Sequence, residues 1–434
     1  MTKSPIPHDL PRRLTLSLWD YSWYTRAAPG DRFGDLERCF REAVERGYNT
    51  IRICAMPFLL FGDHDLPDRH ELHITGMGNG FGAGSRWYDG AAPASFDPLS
   101  RLGLLFDLAR DYDCYVILSS WEYQQSPSFS ATPAWYEALY AVPNGRRLHA
   151  LAASLCRMLD WLKSTGRFDR VAYVELHNEV ENSRLWDISP LDRSKRHLVR
   201  DETEDAIGIV RAAHPDTMVT VSYVISYAQP LEHPLQGCAR NVQVGHVHIY
   251  PDSVVGALIR EVLSYELWID DPEKGAGSGF PNATLRSLLR PDAPPADEHL
   301  PDGLWRLDAN GIPQKLFYFF DWTDPAKVDE WFLSHHGEFA EKTRAELTRA
   351  IEQTAEWSKE LDVPAVLGEG YLWSPLRSTF ERSAIGRGIF EHVVNESVRC
   401  GLWGTTLTCT GAPTHPEWSD LAWQCTLNKT FLAG

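Results

Sequence analysis

Short runs rich in apolar and β-branched residues alternate along this chain with longer segments whose apolar positions recur every three to four residues. The short runs fall at 14–19, 50–54, 114–119, 171–176, 218–223, 242–250, 365–368 and 404–409. Helical spacing occupies 35–47, 100–111, 147–164, 201–213, 327–361 and 385–400 between them. Several of the runs are apolar at successive positions, as parallel strands covered by helices on both sides require. Eight strands in this alternation predict an α/β fold, a single (β/α)8 TIM barrel spanning 1–434. An open doubly wound sheet fits less well, because no G-x-G-x-x-G follows the first strand.

Two segments break the alternation. Residues 56–100 are rich in Gly, His, Asp and aromatics (GMGNGFGAGSRWYDG), and 251–325 contain PDAPPADEHLPDG and FYFFDWTDP. Each follows a strand, the second and the sixth, so each is expected as a loop insertion at the C-terminal rim, where barrels carry their sites. Loops of this length would narrow a cleft toward a pocket.

Two strand ends carry candidate chemistry. The run VAYVELHNEV (171–180) ends in Asn178-Glu179, and VPAVLGEGYLW (363–373) places Glu369 between Gly368 and Gly370, which are expected to leave room for a substrate. One Glu at a strand end is as well explained by a salt bridge. Two at equivalent ends of different strands point to paired carboxyl groups doing acid–base or nucleophilic work. The H-x-H at His246 and His248 admits a metal reading, but positions i and i+2 of a strand share a face by geometry alone. A pocket role for His248 and a packing role for His246 are the expectation. The segment HELH (70–73) lacks the spacing of a zinc-protease helix. No motif calls for a metal or an organic cofactor.

With these residues in place, the chain resembles the cellulase-like glycoside hydrolases of clan A, among them the retaining enzymes of family 5. The resemblance implies an acid/base Glu after Asn at the end of strand four, matched by Asn178 and Glu179 within the wider E-x-x-N-E from Glu175. It implies a nucleophile ending strand seven, matched by Glu369. Arg52 in NTIRIC corresponds to the arginine that holds the nucleophile, and His248 and Tyr250 in HVHIYPD to the His-x-Tyr of strand six. Trp121 and Trp373 complete the expected substrate-binding set with Arg52, Asn178, His248 and Tyr250. There are departures. Val180 replaces a common Pro, strand three ends in SSWE (119–122) without its usual His, and strand eight (GTTLTCTGAP) lacks the usual Trp, for which Trp373, Trp403 or Trp418 would have to substitute. The implied activity is retaining hydrolysis of β-linked oligosaccharides or glycosides, or transglycosylation through the same intermediate. The alternative is a non-catalytic sugar-binding protein on the same barrel.

Composition narrows the partners. Lys and Arg number 42 against 59 Asp and Glu, a net charge of −17, which disfavours nucleic acid and anionic membranes. Eighteen Phe, 16 Trp and 16 Tyr offer more ring surface than a core needs, and sugar CH faces are a natural partner for the remainder. Eight single cysteines without C-x-x-C spacing, a leading segment without a signal-peptide pattern, and the absence of any 18-residue apolar run predict a reduced, cytoplasmic protein acting on a small carbohydrate. Sugar, linkage and oligomeric state stay open at this level.

Overall fold

The apolar runs form one parallel barrel in the computed structural model, which describes residues 6–90, 93–186, 196–226, 234–263, 280–372, 376–408 and 411–434. Its strands are β1 (Leu14–Asp20), β2 (Thr50–Cys54), β3 (Tyr115–Ser119), β4 (Val171–Glu175), β5 (Val219–Thr220 and Ser222–Ser226), β6 (Gly245–Tyr250), β7 (Ala365–Gly370) and β8 (Gly404–Thr406). The hydrogen-bonded order runs from the first piece of β5 through β4, β3, β2, β1, β8, β7 and β6 to the second piece of β5. The nine paired segments are therefore eight barrel positions, with the fifth strand interrupted at Val221. Every residue of β1, β2, β4 and β7 is buried, which accounts for their lack of polar alternation.

Seven helices cover the barrel: α1 (Leu36–Glu45), α2 (Pro98–Asp111), α3 (Arg147–Ser164), α4 (Arg196–Ala213), α5 (Pro325–Glu360), α6 (Ala384–Arg399) and α7 (Leu421–Ala433). Asp35, Asp97, Asp324, Ser383 and Asp420 cap α1, α2, α5, α6 and α7 through side-chain oxygens that accept first-turn N–H groups. Helix α7 was not expected from the pattern. Its apolar positions face more than one way, with Leu421 and Leu432 exposed, so no single stripe marks it. No helix is seen between β5 and β6 among the described residues, and none there is long and apolar enough to cross a membrane.

The barrel interior is layered. Leu14, Leu16, Ile117, Tyr173, Val244, Val366 and Trp403 plug its lower end. Above that plug the inward positions turn polar, and the buried groups Arg52, Glu175, His246 and His248 fill the space below the rim. Trp403 thus belongs to the base. Trp418 stacks on Tyr48 and donates from Nε1 to Glu42 at 2.7 Å. Neither replaces the missing strand-eight Trp at the mouth, because one precedes β8 and the other packs against α1.

Two long excursions occupy the rim. After β2 come a short helix (Pro57–Phe61), a Gly-rich stretch and a hairpin of Leu72–Ile74 with Ala94–Phe96. After β6 come the helices Val254–Leu263, Ala283–Leu288, Trp305–Asn310 and Gln314–Trp322. The two excursions pack on each other. Phe81 and Tyr88 meet Phe317 with ring centroids 4.6 and 5.1 Å apart. The Asp321 carboxylate accepts the Gly82 and Gly84 N–H groups at 2.8 and 2.6 Å and pairs with His299 at 2.6 Å. A Cβ on Gly84 would lie 2.1 Å from the Phe320 carbonyl oxygen, so this approach needs glycine. Arg86 then ties the first excursion to the loop after β7, donating to the Leu376 carbonyl and to Glu381 at 2.8 and 2.7 Å.

Replacing Asp321 with Ala strands the buried Gly82 N–H, at about 1–3 kcal/mol, and the partly buried Gly84 N–H at somewhat less. Asp321→Ala is expected to lower stability by roughly 2–4 kcal/mol in urea and to speed proteolysis within 76–90. Unchanged cleavage there would show that the carboxylate does not join the excursions.

Candidate active site

Arg52 leaves β2 into the barrel with its guanidinium fully buried. Nε and Nη2 donate to the two oxygens of Glu175 at 2.8 Å each, a bidentate pair. Nη1 donates to Glu369 Oε1 at 2.7 Å, and Nη2 also reaches Asn178 Oδ1 at 2.6 Å. The Trp121 ring backs the guanidinium at 4.6 Å. Burial opposes the charge on Arg52, but the two carboxylates outweigh it and hold the group above its ordinary pKa. Burial likewise resists ionisation of Glu175, and the Arg52 charge prevails, bringing that carboxyl to about 2.

Strand register supplies the next neighbours. Pairing of β6 with β7 sets Glu369 opposite His248. Tyr250, two residues on, donates its hydroxyl to Glu369 Oε2 at 2.8 Å. Beyond Glu175 the chain leaves β4, and the Asn178 N–H is tied to the Ser120 carbonyl at 2.8 Å. Glu179 follows in the left-handed region at φ 43°, and its N–H donates to Ser222 Oγ at 2.7 Å. That turn brings the carboxyl back over the barrel, where His248 Nδ1 lies 2.8 Å from Oε1 and Asn182 donates to Oε2 at 3.2 Å. His248 Nδ1 is also 3.8 Å from Glu369 Oε2. One oxygen of Glu179 and one of Glu369 lie within 4.8 Å of each other.

The two carboxyl groups differ in their partners. Glu369 is gripped by a cation and a hydroxyl. Burial pushes Glu179 up to about 7, with the Asn182 hydrogen bond and the charge of Arg52 pulling the other way. Burial also lowers His248 to about 4, against the pull of Glu369, so its ring is neutral at neutral pH. Its buried Nε2 has no partner among the described residues, which favours the tautomer whose Nδ1–H donates to Glu179. His177 is neutral too, lowered to about 4 by burial. Its Nε2 accepts the Tyr123 N–H at 3.2 Å, so its proton sits on Nδ1, 2.6 Å from the Asn178 carbonyl.

The structure therefore brings together Arg52, Asn178, Glu179, His248, Tyr250 and Glu369. Trp121 is there as well, only 3 % exposed and with one face spent on Arg52. Trp373 lies outside the described residues. The two glycines beside Glu369 make room for protein rather than substrate: a Cβ on Gly368 would sit 1.8 Å from His246 Nε2, and one on Gly370 2.3 Å from the Ile249 carbonyl oxygen. Sequence reasoning missed four neighbours. Gln124 accepts from Asn178 at 2.8 Å, Asn182 holds Glu179, Asp20 ends β1 beside this cluster, and Tyr88 arrives from the first excursion. Of these only Asp20 carried a signal, an acidic residue closing an apolar strand.

Among the described residues, two sets of three ligand-type atoms fall within 4.8 Å, Glu175/His246/His248 and Glu179/His248/Glu369. In the first, Glu175 is already saturated by Arg52, and a cation would meet the guanidinium charge. In the second, an ion would compete with Arg52 and Tyr250 for Glu369 and with Asn182 for Glu179. The donor set suits charged side chains better than a metal.

Residues 16–233 match a family profile described as cellulase-like, sugar-binding. A crystal structure from Parabacteroides distasonis, provisionally assigned as a glycoside hydrolase, superposes with a TM-score of 0.64 at 16 % identity, over 97 % of this chain and 94 % of that one. The endo-β-1,4-mannanase of Thermotoga petrophila gives 0.46 at 11 % identity, over 93 % and 69 %. A family 5, subfamily 18 glycoside hydrolase variant from Streptomyces cattleya, solved with Manβ1-4GlcNAc, gives 0.48 at 11 %, over 92 % and 70 %. No match is found among curated proteins.

A carboxyl raised from 4.5 to about 7 weighs on the fold by roughly 3 kcal/mol once ionised. The sign follows from the raised value. Nothing is lost below the unfolded pKa, and the full cost appears above the folded one. Glu179→Gln is accordingly expected to raise Tm at pH 8 by several degrees and to change it little at pH 4. An equal gain at both pH values would contradict a buried, ionisable Glu179.

Proposed function

Because the chain belongs to the cellulase-like family, we propose that it is a retaining glycoside hydrolase acting on β-linked oligosaccharides or β-glycosides, with Glu369 as nucleophile and Glu179 as acid/base. The observation that carries this reading is the approach of the two carboxyl groups to within 4.8 Å at their nearest oxygens. Retaining enzymes hold the pair about 5–5.5 Å apart, whereas inverting enzymes leave room for a water at about 6.5–9.5 Å.

The division of labour rests on the different surroundings of the pair. Arg52 and Tyr250 place a hydrogen-bond donor on each oxygen of Glu369, holding it in position to attack the anomeric carbon. Glu179, raised to about 7, retains a proton for the leaving oxygen. Attack forms the ester between Glu369 and the sugar while the C–O bond to the leaving group breaks and takes the Glu179 proton. Glu179, now ionised, removes a proton from water, and the water oxygen releases the sugar from Glu369. His248, neutral throughout, keeps the acid/base oriented from Nδ1. A sugar hydroxyl in place of water would give transglycosylation.

The packed excursions after β2 and β6 support a pocket closed on one side, and hence removal of single sugars from short substrates. In the cytoplasmic setting we propose, such substrates would be soluble oligosaccharides. The family description also fits a sugar-binding protein without turnover, which the following experiment separates.

A panel of aryl β-glucosides, mannosides, galactosides and xylosides is expected to yield turnover by the wild type, reduced about 10²-fold or more in Glu179→Ala and in Glu369→Ala. With azide, Glu179→Ala should give the β-glycosyl azide and Glu369→Ala the α-anomer. Binding without turnover would support the non-catalytic reading, and activity indifferent to both substitutions would overturn the assignment.

The pH profile gives a second test. Loss of the acid proton predicts that kcat/KM falls above pH of about 7. The Asn182 hydrogen bond lowers the Glu179 pKa, so Asn182→Ala should move this alkaline limb upward. A limb that stays in place would contradict Glu179 as the titrating acid.

A further inference from the structure

Asp20 is the third carboxyl group at this rim and has no part in the mechanism above. It closes β1 at φ 41°, and its side chain is buried. Oδ1 accepts the Ser22 N–H at 2.5 Å, which turns the chain into the short helix Ser22–Thr25. Oδ2 is equally buried and has no hydrogen-bond partner among the described residues. A buried carboxylate oxygen without a donor is costly, and structures retain one where function supplies the donor.

The barrel order says which part of a substrate would meet it. β1 pairs with β2 so that Leu18 stands beside Arg52 and, past a bulge, Asp20 beside Ile53, one level nearer the rim. On its other side β1 pairs with β8, and β8 with β7, which carries Glu369. Glu179 follows β4, three strands away. If Glu179 faces the leaving oxygen, the sugar transferred to Glu369 extends toward β1 and β2. The wall there is aromatic: Tyr21 stacks near Tyr88 at 6.2 Å and meets the edge of Trp121 at 6.5 Å.

We propose that Asp20 Oδ2 accepts a hydrogen bond from a hydroxyl of the transferred sugar, making Asp20 a specificity residue for neutral glycones with a free hydroxyl at that position. The inference rests on the retaining reading for its orientation. In its ionised form this oxygen only accepts, so beside Glu369 it selects a donor and rejects a second carboxylate, and uronic acid glycosides are poor substrates. Burial pushes the Asp20 carboxyl up to about 7, against hydrogen bonding to Ser22.

Asp20→Asn separates this role from that of a turn residue, because the amide oxygen still accepts from Ser22 while an NH2 group replaces Oδ2. The probes are the best aryl glycoside of the panel, its monodeoxy analogues and the matching uronide. The wild type is expected to prefer the parent over one deoxy analogue by about 10- to 100-fold in kcat/KM, and Asp20→Asn to lose that preference while turning over the same analogue within about threefold of wild type. A uniform loss across all analogues, or none at all, would overturn the proposal. If the wild type turns over no glycoside, the retaining reading fails separately. Calorimetric binding of the parent monosaccharide and its deoxy set then decides on Asp20: the same one-hydroxyl pattern supports it, and equal or absent binding overturns it.

Discussion

One buried guanidinium organises this barrel mouth. Arg52 grips Glu175 with two hydrogen bonds, Glu369 with one and Asn178 with another, and rests on the face of Trp121. A lone cation in such a place would be expensive, and so would two carboxylates without it. Arginine suits the position because its fork addresses partners at the ends of two other strands at once, where a lysine would offer a single point charge. The ends of β2, β4 and β7 are thereby locked into one arrangement, and the position of each functional carboxyl follows from the others.

The same lock sets the carboxyl groups apart. Glu369 touches the guanidinium and the Tyr250 hydroxyl, both donors, one on each of its oxygens. Glu179 stands one residue beyond Asn178, turned by its left-handed backbone, and meets the neutral His248 and the Asn182 amide. Burial raises its pKa and outweighs the more distant charge of Arg52. Two residues of one type thus stand among different groups, a cation and a hydroxyl for one and a neutral imidazole and an amide for the other, as the two roles of double displacement require. The excursions after β2 and β6 add shape to this electrostatic frame, joined by Asp321 and by the Phe81–Phe317–Tyr88 contacts.

Much of this frame was legible before any coordinates. The runs at 171–176 and 365–368 read as parallel strands because their apolar positions are consecutive, and Glu179 and Glu369, the acids that follow them, were expected at the rim. The H-x-H on β6 read as one face for the same reason. What stayed hidden depended on tertiary neighbours. Gly368 looks like a gap for substrate until the His246 ring is seen to fill it. Trp403 and Trp418 look like sugar platforms until their places at the base and against α1 are known. Tyr88, Gln124 and Asn182 reach the site from loops, where no periodicity constrains them. The break of β5 at Val221 leaves no mark in the pattern either, since both pieces are apolar.

The most direct test of the central claim is covalent trapping. An activated 2-deoxy-2-fluoro-β-glycoside of the preferred sugar slows both steps, and its good leaving group lets the first proceed, so a true glycosyl-enzyme accumulates. Peptide mass spectrometry of the inactivated protein should place one fluorosugar on the peptide containing Glu369, at its carboxyl. A label on Glu179, or full turnover to an inverted product without any label, would contradict the account.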